Sequence, residues 1–223
     1  TSGSQNSAFG ERSLYSNITG FNNAAFGNGA LYYTTTGYAD TAIGTGALYY
    51  NTTGYQNVAV GLLSLSRNTT GAFNVGIGSY ALYSNTTGGS NLAIGYQSLY
   101  SSVTAAANIA IGERSLYSNT TGNSNLAVGY LSMYSNTSGY FNTALGYALY
   151  SNTTGIGNSA MGVYALWNNT TGQENVAIGW AALYGNPLGS YNTAIGVKAA
   201  SFGGFGPDPE NDIAYASYTT AVG

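Results

Sequence analysis

The sequence predicts an all-β fold, a parallel β-solenoid of 17-residue coils, and three observations predict it. The first is a glycine at fixed spacing. Gly10, Gly27, Gly44, Gly61, Gly78, Gly95, Gly112, Gly129 and Gly146 succeed one another by 17 residues, and Gly162, Gly179 and Gly196 continue the series after the loss of one residue. The second is the segment that ends on each glycine, as in Asn91-Leu92-Ala93-Ile94-Gly95. The third is a second conserved-phase stretch after the glycine: Ala or Ser, Leu, Tyr, and then a turn of the type Asn51-Thr52-Thr53-Gly54. Self-similarity at a short fixed period marks a repeat architecture, in which one unit is too small to bury a core alone and stacks on its copies.

With the Asn counted as position 1, each position has its own chemistry. Position 1 is Asn (Asn6, Asn23, Asn57, Asn74 and onward), with Asp40 the exception. Position 3 is Ala, or Gly at Gly76, and position 4 is bulky and apolar, from Phe9 and Phe26 through Ile94 to Ile195 and Val222. Position 5 is Gly, position 8 Ala or Ser, position 9 Leu or Met133, and positions 12 to 15 read Asn-Thr-Thr-Gly in most units. This pattern writes two short extended segments into each coil, at positions 2–4 and 8–10, each rich in Ile, Val, Leu or Tyr and bounded by turn residues. A helix is disfavoured: the two glycines of each unit would cost about 1 kcal/mol apiece in a helix interior, and helical repeats run to roughly 33 residues or more.

About 13 coils stacked at the interstrand spacing make a rod of roughly 60 Å. Alternation places the bulky positions 4 and 9 in the core, with position 2 partly buried on the same side. The tiny position 3 then falls on the opposite face, where another backbone packs close. Gly at positions 5 and 15 supplies positive φ, the position-1 Asn forms an amide ladder between coils, and the Thr hydroxyls at positions 13 and 14 bond the turn backbone.

Residues 1–198 form the repeats, 199–218 an insertion within a coil, and 219–223 the start of the next coil. The insertion carries Asp208, Glu210 and Asp212, oxygen donors of the kind Ca²⁺ takes. They lack the Gly and terminal Glu spacing of a calcium loop, so a solvated acidic loop is the reading adopted and no metal site is predicted. The repeat enters and leaves in mid-unit, as expected for a segment of a longer fibre.

Composition excludes several functions. Neither Cys nor His occurs, which removes disulfides, thiolate nucleophiles, imidazole bases and the commonest zinc ligands. The net charge is −3, and Arg12, Arg67, Arg114 and Lys198 are the only cations, too few for a phosphate-tracking surface, so nucleic acid is not an expected partner. No apolar run approaches the ~20 residues of a bilayer span, so the segment is not expected to insert in a membrane. Catalysis needs a unique constellation of acid, base or nucleophile. Here the hydroxyls sit at repeated positions, so no catalytic residue and no cofactor is expected. Glu11-Arg12 and Glu113-Arg114 read as exposed pairs worth little.

Two sets of residues are candidates for contact. Position 10 forms an aromatic column of Tyr15, Tyr32, Tyr49, Tyr83, Tyr100, Tyr117, Tyr134, Tyr150, Trp167 and Tyr184, interrupted by Ser66. Such a column leaves an apolar patch on a lone rod and marks an interface, or stacks on the sugars of a surface glycan or receptor. Asn17, Asn51, Asn68, Asn85, Asn119, Asn136, Asn152, Asn168 and Asn169 each begin an Asn-x-Ser/Thr sequon. Turn chemistry explains them more simply than glycosylation. The Thr pairs also raise an ice-binding solenoid as a remote alternative, although they lie in turns.

The Asn-x-Ala-Ile-Gly motif of Asn91–Gly95 and Asn175–Gly179 resembles the head repeats of trimeric autotransporter adhesins (YadA-like), and the unit with Asn-Thr-Thr-Gly is similar to repeats of phage and giant-virus tail fibres. The resemblance covers nearly the whole chain, with a period longer than the adhesin head unit. It implies a left-handed parallel β-roll, three chains packed side by side, and an extracellular, cell-surface or virion-surface location. The expected function is a structural fibre or adhesin shaft that self-associates as a homotrimer. The alternative is a single-chain solenoid, glycan-binding or glycan-decorated, joined end to end into a filament.

Overall fold

A computed structural model describes residues 3–201 and 220–222. Of the expected insertion at 199–218, residues 202–218 with the acidic trio lie outside the described residues, while Ala199 accepts from the Leu183 N–H at 3.0 Å and continues the coil begun at Asn192. Each coil contributes one strand of three residues: β1 Ser7–Phe9, β2 Ala24–Phe26, β3 Thr41–Ile43, β4 Val58–Val60, β5 Val75–Ile77, β6 Leu92–Ile94, β7 Ile109–Ile111, β8 Leu126–Val128, β9 Thr143–Leu145, β10 Ser159–Met161, β11 Val176–Ile178, β12 Thr193–Ile195 and β13 Thr220–Val222. The strands form one parallel sheet in sequence order. Register matches like to like, Leu92 with Ile109, Ala93 with Ala110 and Ile94 with Ile111. The chain is a β-solenoid, and coils are numbered below by their strand.

The expected second strand at positions 8–10 is absent among the described residues. That stretch is a run of turns in which positions 7 and 9 take left-handed backbone, as at Gln97 (φ 54°) and Leu99 (φ 51°). Left-handed residues within a short run fold the chain sharply while aiming its amides along the rod. The Gln97 N–H donates back to the Ser79 carbonyl at 3.0 Å, whereas those of Leu99 and Ser101 donate forward to Ser115 and Tyr117 at 2.9 and 3.0 Å. Left-handed backbone costs an L-residue about 1–2 kcal/mol. Burying a leucine returns roughly 1.5–3 kcal/mol, and the inter-coil bond adds to that, so the turn holds.

The core also differs from expectation. Position 3 points inward and position 4 outward. Ala93, Ala110 and Ala127 are fully buried, as are Leu99, Leu116 and Met133 of position 9. Phe26, Ile43, Ile77 and Ile195 of position 4 are exposed. Size explains the inversion. One coil is narrow, and a single leucine with the small side chains of positions 3 and 8 fills it, so a second bulky residue has no room inside. Position 3 is small because the space beneath it is shallow. At Gly76 an added Cβ would lie 2.7 Å from the Ser64 hydroxyl, which donates to the Gly76 carbonyl at 2.9 Å.

The two glycines of each coil are required for different reasons. At position 5, Gly95 has φ +129°, and a Cβ there would meet the Gly112 carbonyl oxygen at 2.6 Å. At position 15 the backbone is not left-handed, against expectation. Gly71 is needed because a Cβ would meet the Asn68 Oδ1 and the Gly88 oxygen, both at 2.4 Å. In coil 6 Ala105 stands at position 15, and Ser102 in place of the Asn removes the amide oxygen of the two, while the next coil's carbonyl remains.

The one-residue loss falls between β9 and Leu149. The inter-coil bonds continue across it, with Met133 N–H to Ala148 at 3.1 Å and Tyr164 N–H to Tyr147 at 2.9 Å. Gly95→Ala should destabilise the rod by at least about 2 kcal/mol, combining φ strain with a backbone clash, while Ser101→Ala should be near neutral. Denaturant midpoints of the two variants check this, and equal midpoints would contradict the stacking geometry.

Candidate interaction surfaces

The position-1 asparagines form the expected ladder. The Asn125 backbone N–H and Nδ2 both donate to Asn108 Oδ1, at 3.0 and 3.1 Å, and Nδ2 also donates to the Gly139 carbonyl at 2.9 Å. Asn142 repeats these bonds on Asn125. The Asn-Thr-Thr-Gly turn holds a second ladder that sequence reasoning does not find. The Asn68 Nδ2 donates to Asn51 Oδ1 at 2.8 Å and to its own turn's Gly71 carbonyl at 2.9 Å, and Asn85 and Asn136 repeat the step on Asn68 and Asn119. The signal for it is the identical spacing of position-12 and position-1 asparagines, which turn and sequon chemistry obscure.

This second ladder decides where the sequons lie. Asn51, Asn68, Asn85, Asn119, Asn136, Asn152 and Asn169 are fully buried. Their amide nitrogens are hydrogen-bonded donors inside the rod, so a glycan at those atoms would require the turn to open. Asn17 is half-buried and donates to Gly20 at 3.1 Å, and Asn168 is half-buried. The Thr hydroxyls divide as well. At position 13 those of Thr52 and Thr69 donate to the backbone carbonyls of Thr69 and Thr86 at 3.0 Å, in the next coil instead of their own turn. At position 14 Thr53 and Thr70 are exposed.

The aromatic column is a stacked ladder. Tyr15, Tyr32 and Tyr49 stack at 5.2 and 5.0 Å. Tyr83, Tyr100, Tyr117, Tyr134, Tyr150 and Trp167 stack at 4.5–5.3 Å. Tyr184 lies edge-on to Tyr164 at 6.3 Å. Ring faces are spent on neighbouring rings, and except at Tyr15 each ring of the column is half-buried. The column is therefore less of an open patch than its sequence suggests. Arg114 lies over Tyr96 and bonds Gln97, while Glu11 and Arg12 form the expected exposed pair at 3.6 Å.

The broader apolar surface is the outer face of the sheet, where positions 2 and 4 stand side by side. Across coils 4 to 8 it reads Val58 and Val60, Val75 and Ile77, Leu92 and Ile94, Ile109 and Ile111, Leu126 and Val128, every one exposed or half-buried. No charged side chain interrupts either column over the described coils. Position 2 is polar at Ser7, Thr41, Thr143, Ser159, Thr193 and Thr220, whereas position 4 is apolar in every described strand. Twelve strand spacings carry the position-4 column over more than about 50 Å, and apolar surface of that extent marks a contact face.

Asp40 replaces the ladder asparagine in coil 3. Asn57 donates to Oδ1 through its backbone at 2.9 Å and its Nδ2 at 3.1 Å, and the Asn51 Nδ2 reaches Oδ2 at 2.9 Å. Burial pushes this carboxyl up to about 7, and the bonds from Asn57 and Asn51 only partly oppose the shift. The folded value lies above the unfolded one. Full stability is therefore present below about pH 4, is lost as pH rises toward 7, and stays reduced above it. Asp40→Asn should raise stability at pH 8.5 by roughly 2–4 kcal/mol and change little at pH 3.5. Calorimetry across that range checks this, and parallel pH profiles for the two proteins would refute it.

Among the described residues no cluster of three or more acidic side chains is placed to hold a metal, and no helix is long and apolar enough to cross a membrane. No protein-family model, no curated protein and no solved structure matches the chain.

Proposed function

We propose that the chain is the structural shaft of an extracellular fibre or adhesin, at a cell or virion surface, and that it assembles laterally as a homotrimer. The observation that carries this is the outer sheet face. An apolar column at position 4, from Phe9 to Val222, joined by apolar residues at position 2 across coils 4 to 8, runs along a rod whose interior is already filled, so its burial is available only to a partner. A second and third copy present the same column at the same spacing, which makes the face self-complementary. At about 25 cal/mol per Å², covering such a strip outweighs the cost of association. The rod contributes reach and stiffness, and its repeated polar groups are used up by structure, which leaves chemistry no unique constellation to work with.

Native mass spectrometry of the chain at micromolar concentration should give three copies. A stable monomer would overturn the assembly, and a single-lobed cross-section by electron microscopy would favour end-to-end filaments of single chains. Ile94→Glu combined with Ile111→Lys places opposite charges on register partners, which pair on a solvated face. This variant should dissociate to monomers while circular dichroism stays unchanged.

A further inference from the structure

Three aromatic stacks run along the first coils and stop at coil 4: that of Phe21, Tyr38 and Tyr55 ends at Ala72, and the other two end beside each other. The position-10 stack of Tyr15, Tyr32 and Tyr49 would continue with a ring at Ser66. At position 11, Tyr33 and Tyr50 stack at 5.4 Å and 6°, and Arg67 comes next. Tyr49 and Tyr50 meet edge-on at 78°. In coil 4 no ring continues either stack beyond them. On the far side Tyr83 resumes the ladder, one face on Tyr100 at 5.2 Å and the guanidinium of Arg67 5.0 Å from its ring.

The missing ring leaves space. A recess of about 370 Å³ lies between Tyr49 and Tyr83 over Ser66. A groove of about 820 Å³ adjoins it along Tyr33, Tyr50 and Arg67, edged by Thr52 and Thr69. Tyr50 borders both. These sizes are those of small-molecule sites. The chemistry is mixed in a definite way: two tyrosine rings, one guanidinium with no acidic partner among the described residues, and Thr hydroxyls whose protons are committed to backbone carbonyls, so that they offer only lone pairs. No other coil pairs a broken position-10 stack with a cation at position 11.

We propose that coil 4 is a binding site for a carboxylate-bearing sugar residue of an acidic glycan. The CH face of the sugar ring lies on Tyr49, where the position-10 stack ends, with the Tyr50 ring beside it at a steep angle. Its carboxylate pairs with the guanidinium of Arg67, which the Tyr83 ring holds at 5.0 Å. The Thr52 and Thr69 oxygens accept from sugar hydroxyls. A single cation suits one carboxylate per sugar and is too little for a polyphosphate. The site uses positions 10 and 11, not the outer sheet columns, so it stands or falls separately from lateral assembly.

The full chain is titrated with tetragalacturonate and with its fully methyl-esterified form by calorimetry, with the tyrosine ring resonances followed in parallel. The acidic form should bind at least tenfold more tightly, and Arg67→Gln should reduce that preference to less than twofold. Ser66→Tyr fills the gap and continues the ladder. It should abolish binding of both probes while leaving the melting temperature equal or higher. Equal affinity for the two probes, no binding of either, or undiminished binding by a folded Ser66→Tyr variant would each overturn the proposal. Tighter binding of a sulfated heparin tetrasaccharide would overturn the choice of carboxylate.

Discussion

The fold depends on hydrogen bonds passed from each coil to its copy in the next. At the interstrand spacing, one residue's polar group meets the same group one coil on. A carboxamide suits this arrangement because it carries a donor and an acceptor at opposite edges. Asn108, Asn125 and Asn142 each accept on Oδ1 from the following coil and donate on Nδ2. Buried polar groups without partners cost about 1–3 kcal/mol each, so a rod lined with amides is stable only if nearly all of them are satisfied. Most exceptions lie where the ladder loses a member, and the Asn169 Oδ1, with Asn186 next, is one that does not. The Asn85 Oδ1 is unpaired where Ser102 comes next, and the Thr34 and Ser102 hydroxyls, which stand in for Asn, have no partner.

This constraint also explains the small core. Each coil carries two amide columns through its interior, together with the close backbone approach that glycine permits at positions 5 and 15. The space left over holds Ala, Ala or Ser, and one Leu. Apolar bulk that would be core in a wider solenoid is displaced to the outer sheet face. A rod built this way is stiff along its length and sticky on one side, two properties that a bundled fibre needs together.

Much of this is legible in the sequence, because period reports architecture directly. The 17-residue spacing, the parallel in-register sheet of β1 to β13 and the position-1 ladder all arise from the recurrence of Asn and Gly. The facing of β1 to β13 does not. Alternation says that positions 2 and 4 share a side, and it leaves open which side is in. Hydrophobicity alone puts Ile94 inside, whereas the width of the coil puts Ala93 there. The stretch around Leu99 reads as a strand because Leu and Tyr favour extended backbone. Left-handed φ at Leu99 and Leu116 leaves no mark in composition, since it is imposed by neighbouring coils and not by local preference. The sequons mislead in the same way: Asn68 looks like a surface motif until the turn is seen to fold its amide inward.

In a molecule of copies, uniform columns and local departures serve different ends. A lateral interface between rods must repeat, because contact is made at every coil, and the apolar column of position 4 repeats. A ligand of finite size must find one place, and only a departure supplies it. Three departures carry chemical change: Asp40 puts a titrating group in a buried ladder, Ser102 with Ala105 exchanges an amide and a glycine together, and Ser66 with Arg67 breaks the aromatic stack. The second is compensated in space alone, since the short serine leaves room for the alanine methyl while the Asn85 Oδ1 and the Ser102 hydroxyl go unpaired. The first costs stability only where the carboxyl ionises. The third removes a ring without filling the space and sets a cation beside two tyrosines at the ends of their stacks. A stack of rings gains about 0.5–1.5 kcal/mol per pair beyond burial, so losing a rung is a standing cost, and a ligand that restores the missing contacts offsets it.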